Sequence, residues 1–375
     1  MSSRRQFLIS TGTIALASTL GGCGAAQNSR LQMRILEGSI SPQVLKAFRK
    51  TYPDQKSIKF KPVEQLAKLF TDLEEIQTTT PENYSKRFPW QSDTPPTPPD
   101  LVTLGNGWFK EAIADELIQP IDIEQLENWQ TLENPWRSFI EDPQTGEIWG
   151  IPYRWGTTLL LYRKDKLKKF DWQPEDWSDL WREDLAGQIS LLNQSREVIG
   201  FVLKKLGYSY NEQNPEAIAE LEGELASLHQ NVKFYSSSHY LQPLITGDTW
   251  VAQAWSQDAL SLMKRYPNLG AVVPKTGTAL WCDLWVQPKK SERKFEELKP
   301  WLEFCANEQA INQFAQSTFA ASPLIYQAEN LAPKVTENPL IFLDSETYQN
   351  SEIIEKLPPS AESQYQNLWQ QMRQA

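Results

Sequence analysis

An α/β fold with a largely parallel sheet is what this sequence predicts, and three observations carry the expectation. Apolar runs of strand length alternate with stretches of helical spacing along nearly the whole chain. Several of the helical stretches open on a capping residue followed by proline, as at Ser41-Pro42 and Asn214-Pro215. The 375 residues, 40% of them hydrophobic and 11% aromatic, suffice for two domains with well-buried cores, which excludes wholesale disorder.

The elements follow in order. Gln32 to Leu36 reads as a first strand, and Ser41-Pro42 opens a helix that runs to Lys50. Ile58-Lys59-Phe60 alternates like a second strand, and Glu64 to Gln77 has helical spacing. Residues 78–99 then change character, ending in Asp93-Thr94-Pro95-Pro96-Thr97-Pro98-Pro99. That segment reads as a loop stiffened by polyproline geometry, either a surface excursion or a flap over a site. Asp100 to Leu104 is a clean third strand running into Gly105-Asn106-Gly107, where the backbone is open to close approach by a ligand, and a helix follows from Trp108 to Leu117. Ile148 to Tyr153 and Thr157 to Tyr162 read as two strands separated by Arg154-Trp155-Gly156. Further on, Trp177, Arg196 and Glu216 begin helices, Ile189 to Leu192 is a strand, and Trp250 to Trp255 is a strand feeding a helix over Gln257 to Arg265. Ala271 to Val273 and Leu284 to Val286 look like paired extended segments, with helices over 293–306 and 307–317 beyond them and an amphipathic helix over 361–374 at the end.

Charge and the N-terminus restrict the function. The net charge is −10, and residues 1–22 hold Arg4 and Arg5 but no acid, so their removal leaves −10 − 2 = −12. That balance argues against nucleic acid as a partner and suits attraction of cations. A basic head, the short apolar run from Ile9 to Leu20, and Leu20-Gly21-Gly22-Cys23 together make an export signal. The apolar run is too short for a transmembrane helix of about 20 residues. The paired arginines resemble a twin-arginine signal and the ending resembles a bacterial lipobox. Cleavage before Cys23, with lipid on its sulfur, would tether the protein to the membrane, with residues 23–32 as anchor and tether. Export would permit a disulfide between Cys282 and Cys305, although buried free cysteines are the simpler reading. The two histidines, His229 and His239, lack partners at metal spacing, so neither a metal nor a cofactor is expected.

Five segments in order resemble the periplasmic spermidine/putrescine-binding protein family of ABC importers. They are Asp100-Leu101-Val102 with Leu117 to Asp122; Trp149 to Thr158, similar to an Ile/Val-Pro-Tyr-x-Trp-Gly stretch; Trp177 to Trp181; Arg196-Glu197-Val198 through Leu206-Gly207-Tyr208-Ser209; and Ala254-Trp255 with Trp281-Cys282-Asp283. The resemblance implies a type II periplasmic-binding fold, two α/β lobes joined by crossing strands with a ligand cleft between them. Lobe 1 would comprise 33–156 plus 283–322, and lobe 2 would comprise 157–282 plus 323–375. It further implies a monomeric receptor that captures a polyamine and delivers it to the membrane subunits of an ABC importer.

Polyamine recognition asks for carboxylates at the ammonium groups and aromatic faces along the methylene chain. Asp283, a charged residue in an apolar strand-like run, is the leading carboxylate, the alternative being a salt bridge at the lobe junction. Glu197 is the second, although an acid at a helix start also gains from the helix dipole. Trp255 and Trp281 offer cation–π faces or core packing. Tyr153 and Trp155 stand at the expected hinge, with Trp108 beyond the third strand. The chain departs from the family where Glu37-Gly38-Ser39-Ile40 replaces an aromatic-rich segment and where Gln194 replaces an acid. An exported enzyme is the rival class, with Asp283 and Glu197 as a glycosidase pair. No nucleophile elbow, HExxH, P-loop or Cys-His set supports it. A sensory lipoprotein of the same fold is a third class.

Overall fold

The computed structural model describes residues 31–55, 58–80 and 97–374. The expected export signal, Cys23, most of the expected tether and all of the proline-rich loop but its two ends lie outside the described residues. Among the described residues eleven strands form one continuous sheet. The strands are β1 (Leu31–Leu36), β2 (Ile58–Val63), β3 (Leu101–Gly105), β4 (Ile118–Gln119), β5 (Ile151–Arg163), β6 (Ile189–Leu191), β7 (Val232–Tyr235), β8 (Val251–Trp255), β9 (Leu269–Val272), β10 (Ala279–Pro288) and β11 (Glu352–Ile353).

The order β2-β1-β3-β10-β5-β8-β6-β7 places two parallel blocks at the ends and two long antiparallel strands in the middle. Strand β1 pairs in parallel with β2 and β3, and β6 pairs in parallel with β7 and β8. Between the blocks, β10 runs antiparallel to both β3 and β5. The parallel sheet expected from the alternation of elements is therefore interrupted at its centre. This is the type II periplasmic-binding architecture, with β5 and β10 as the crossing strands.

Two sequence expectations change here. Residues 148–162 do not form two strands around a break: Ile151 to Arg163 is one strand of 13 residues. Arg154-Trp155-Gly156 mimics a turn in sequence, but each of the three has a cross-strand partner on β10, and that pairing outweighs the weak strand propensity of glycine. Nor do residues 271–273 pair with 284–286. Residues 151–157 of β5 pair with β10, and residues 160–163 pair with β9, which therefore continues along the same edge. The opposite edge takes β8 at Thr158 to Tyr162.

Most helices follow the sequence signals closely, but the helix expected from Glu216 starts only at Leu221, after a 3-10 turn over Pro215–Ala217, and Trp177–Trp181 is a short 3-10 helix. Helix α1 (Pro42–Thr51) starts on Ser41, whose Oγ accepts from the Val44 N–H at 3.2 Å, with proline in the first turn. Helix α2 (Leu66–Thr78) precedes β3, and α3 (Asn106–Ala114) leaves β3 directly, two residues earlier than the sequence suggests. Helices α4 (Ser195–Lys205) and α5 (Leu221–Asn231) follow β6, and α6 (Ser256–Met263) follows β8 without a break. Helices α7 (Phe295–Ala306), α8 (Glu308–Thr318) and α9 (Pro359–Gln374) complete the set used below.

Burial divides into two apolar cores. One gathers β1, β3, the first half of β5, β10 and the α7–α8 pair, with Trp285, Trp301 and Phe304 among its fully buried rings. The other gathers β6, α4, α5 and α9 around Trp177, Phe201 and Tyr365. Glycine is required at Gly200 in α4, because a Cβ there would overlap the ring of Tyr210, which closes the second core. Cys282 and Cys305 are both buried and free.

Candidate functional site

The site grows from the alternation of side chains along β5. In a strand, residues i, i+2 and i+4 share one face. Arg154, Gly156 and Thr158 thus form one row, while Trp155 turns to the opposite side. The register with β10 is regular across this row, pairing Asp283 with Arg154, Trp281 with Gly156 and Leu280 with Thr157. A Cβ at Gly156 would overlap the Trp281 ring and the Ser256 hydroxyl. Glycine is therefore what lets the indole lie flat across the strand, where its Nε1 donates to the Thr157 carbonyl at 3.3 Å.

At one end of the row stands an ion pair. Arg154 Nε donates to Asp283 Oδ2 at 2.7 Å and Nη2 reaches the same oxygen at 2.5 Å, while Nη1 donates to Gln257 Oε1 at 2.7 Å. Arg154 and Asp283 are each 1% exposed. Burial pushes the Asp283 carboxyl up and the guanidinium opposes it. Arginine keeps its proton against any carboxylate, so the pair stays charge-separated. The Arg154 guanidinium also lies 5.6 Å from the centroid of the Trp281 ring. The cation over that indole is the protein's own.

At the other end stands a carboxylate that has no hydrogen-bonded cation among the described residues. Glu197, in the first turn of α4, is 5% exposed. Thr158 Oγ1 lies 3.1 and 3.0 Å from its two oxygens, and Trp255 Nε1 donates to Oε1 at 3.3 Å. Both donors are neutral. The adjacent Arg196 turns away, bonding Glu355 O, Tyr210 O and Asn211 Oδ1 and covering the ring of Tyr365. Burial accordingly holds the Glu197 carboxyl at about 7. Trp255 is half-buried and meets Tyr240 edge to face at 5.3 Å, and the Tyr240 hydroxyl donates to Asp258 Oδ2 at 2.5 Å. Burial also raises the Asp258 carboxyl. Two raised acids and two aromatic rings thus share one corner.

The residues singled out from sequence fall into three groups. Glu197, Trp255, Trp281 and Asp283 lie along the β5 row. Trp108 is half-buried with its ring against Gly105, the β3 partner of Asp283, so the close approach to that glycine is made by a side chain of the protein. Tyr153 and Trp155 belong to the core. Tyr153 stacks on Trp285 at 4.5 Å and bonds Thr103 Oγ1, and Trp155 Nε1 donates to Ser322 O. Glu37 and Gln194 are exposed, and among the described residues no hydrogen bond ties their side chains to this group. Several participants escaped sequence reasoning, Tyr240 among them. Arg154 sat unweighed inside the Tyr153-Arg154-Trp155 segment, and Gln257 and Asp258 sat in the first turn of α6, where an acid reads as an ordinary helix-start residue.

The arrangement can bind and orient a ligand, but it offers no activated nucleophile. Asp283 is held by Arg154, so it cannot serve with Glu197 as a hydrolytic pair. Among the described residues no three His, Cys, Asp or Glu side chains gather as a metal site.

Comparison with known proteins agrees with a binding role. The profile of the bacterial extracellular solute-binding protein family matches residues 97–350, well over half of the chain, and this protein belongs to that family. Its relatives named below are binding proteins. The spermidine/putrescine-binding periplasmic protein of Escherichia coli strain K12 is 27% identical over 253 residues, 68% of this chain and 71% of that one. The putrescine/agmatine-binding protein of Pseudomonas aeruginosa is 23% identical over 295 residues, 73% of this chain and 78% of that one. Among solved structures, a spermidine/putrescine ABC transporter substrate-binding protein from Streptococcus pneumoniae shares the fold with a TM-score of 0.77. It is 23% identical, and the match covers 92% of this chain and 98% of that one.

The ion pair makes a direct energetic prediction. Removing one partner of a buried pair leaves an uncompensated charge and costs about 3–5 kcal/mol. Arg154→Gln and Asp283→Asn should each destabilise by that order in urea unfolding, and the double variant should cost clearly less than their sum. Additive single effects would show that the two side chains do not depend on one another.

Proposed function

We propose that this protein is the solute-capturing receptor of an ABC importer, working outside the cytoplasm as a lipid-anchored monomer, and that its ligand is a small organic ammonium compound of the polyamine class. The observation that carries the ligand reading is Glu197, a buried carboxylate whose hydrogen-bond donors among the described residues are all neutral, beside the half-buried Trp255. An isolated buried carboxylate is costly, and an ammonium ion relieves that cost while its methylene chain lies against indole faces. The amines in the names of the Escherichia coli and Pseudomonas aeruginosa relatives support the same class.

In this reading Glu197 accepts the ammonium group, and Trp255 with Tyr240 walls it. Trp281 carries the chain of the ligand, and Asp258 adds negative charge. Trp108, Glu37 and Gln194 stand at the rim, while Tyr153 and Trp155 position β5. Asp283 acts through Arg154. Glu197 and Asp283 lie beneath Trp255, Trp281 and Gln257, which are only half-buried. The ligand therefore reaches them by a hinge motion that parts the two lobes about β5 and β10, over 33–156 plus 283–322 against 157–282 plus 323–375.

Titration tests the role of Glu197. Its folded pKa of about 7 exceeds the ordinary value of 4.5. An acid raised in this way stabilises the fold fully at pH below the unfolded value and loses that contribution as pH climbs through the folded one. Ligand-free protein should thus lose roughly 3 kcal/mol between those limits, and Glu197→Gln should remove that dependence. An ammonium ligand needs the ionised form. In calorimetry against amines, sugars and carboxylates, an amine should bind, with affinity falling about tenfold per pH unit below about 7. Tight binding of a sugar or an anion, with no heat from any amine, would contradict the reading.

The anchor is tested separately. Protein extracted from membranes should begin at Cys23 carrying a diacylglyceryl group in mass spectrometry. A chain retaining residues 1–22, or beginning elsewhere, would contradict it.

A further inference from the structure

The two ends of the β5 row are four residues apart. At about 3.3 Å per residue they lie roughly 13 Å apart along the strand, the scale of an extended polyamine. Each end carries a buried carboxylate on the same face, with the Trp281 indole over Gly156 between them. Two such acids would serve a ligand with an ammonium group at each end. At the Asp283 end, however, a guanidinium already fills that place. It is held by Nε and Nη2 on one carboxylate oxygen and by Nη1 on Gln257, and it lies against Trp281.

Arg154 is anchored on β5 itself, directly opposite Asp283, so the pair belongs to the sheet ladder and does not depend on a bound molecule. It is fully buried, and three of its five N–H donors have partners. A second ammonium group brought to this end would meet a fixed positive charge whose counter-ion is already engaged. A neutral carbonyl or hydroxyl oxygen would meet a donor.

We propose that Arg154 stands in for the second ammonium group of the ligand, so that the site selects an amine with a single ammonium group, seated at Glu197, and an uncharged, hydrogen-bond-accepting far end. This rests on the amine reading above and narrows it. It makes Arg154 a specificity-determining residue, and it sets monocapped amines apart from free diamines.

The test uses isothermal calorimetry on the full processed chain with three probes of one eight-carbon backbone, long enough to reach from Glu197 to Arg154: 1,8-diaminooctane, its mono-N-acetyl derivative and 8-aminooctanoate. The expected result is that the monoacetylated diamine binds at least tenfold more tightly than the free diamine. Arg154→Gln, which returns Asp283 to the ligand, should invert that order. The free diamine binding the parent protein more tightly than its acetylated form would overturn the inference and leave the amine reading standing. If none of the three binds but an amine of another length does, the same three end groups on that length decide; if no amine binds, the amine reading falls and this inference with it. Should Arg154→Gln not fold, the order of affinities in the parent protein decides alone. Tighter binding of the amino acid than of the monoacetylated diamine would overturn the uncharged far end and assign a carboxylate to Arg154.

Discussion

The antiparallel ladder between β5 and β10 is the constraint on which the rest of the structure depends. Its register sets Arg154 against Asp283 and Trp281 against Gly156, and it ends where β5 exchanges β10 for β8 and β9. A slip of one residue would send every side chain of the row to the other face, burying Trp155 and Thr157 in the site and exposing Arg154 to the core. The bulge after Asp283 absorbs an irregularity in the first half of the strand without disturbing residues 154–157. The same ladder joins the two parallel blocks of the sheet.

In the proposed reading, charge distribution lets one fold seat an ammonium ligand while carrying a buried arginine. Asp283 and Arg154 cancel, which leaves the corner formed by Glu197, Asp258, Trp255 and Tyr240 as the negative end. Burial raises both of these acids. Unpaired buried acids are expensive to the fold, and a structure keeps them where a ligand completes them. The negative net charge of the chain works in the same direction at long range, attracting cations to the molecule.

Much of the fold was legible in the sequence. Alternating apolar runs and capped helices, such as Ser41-Pro42 before α1, placed most elements within a few residues. Local pattern could not supply pairing. Arg154-Trp155-Gly156 looked like a break because its neighbours on β10 lie about 127 residues away in sequence. The proposed site was half legible for the same reason. Glu197, Trp255, Trp281 and Asp283 announced themselves by residue type, whereas the meaning of Arg154 depends on a cross-strand partner. Tyr153 and Trp155 resembled binding aromatics in sequence, and burial made them core.

The most direct test of the account is the ionisation of Glu197 itself, followed by carbon-detected NMR on selectively labelled protein. In the ligand-free state the carboxyl should titrate near 7, and saturation with the amine that calorimetry selects should lower it below about 5, since an adjoining ammonium favours the charged form. A Glu197 that titrates at its ordinary value in the free protein, or whose titration is indifferent to the bound amine, would contradict the claim that this carboxylate is the seat of the ligand.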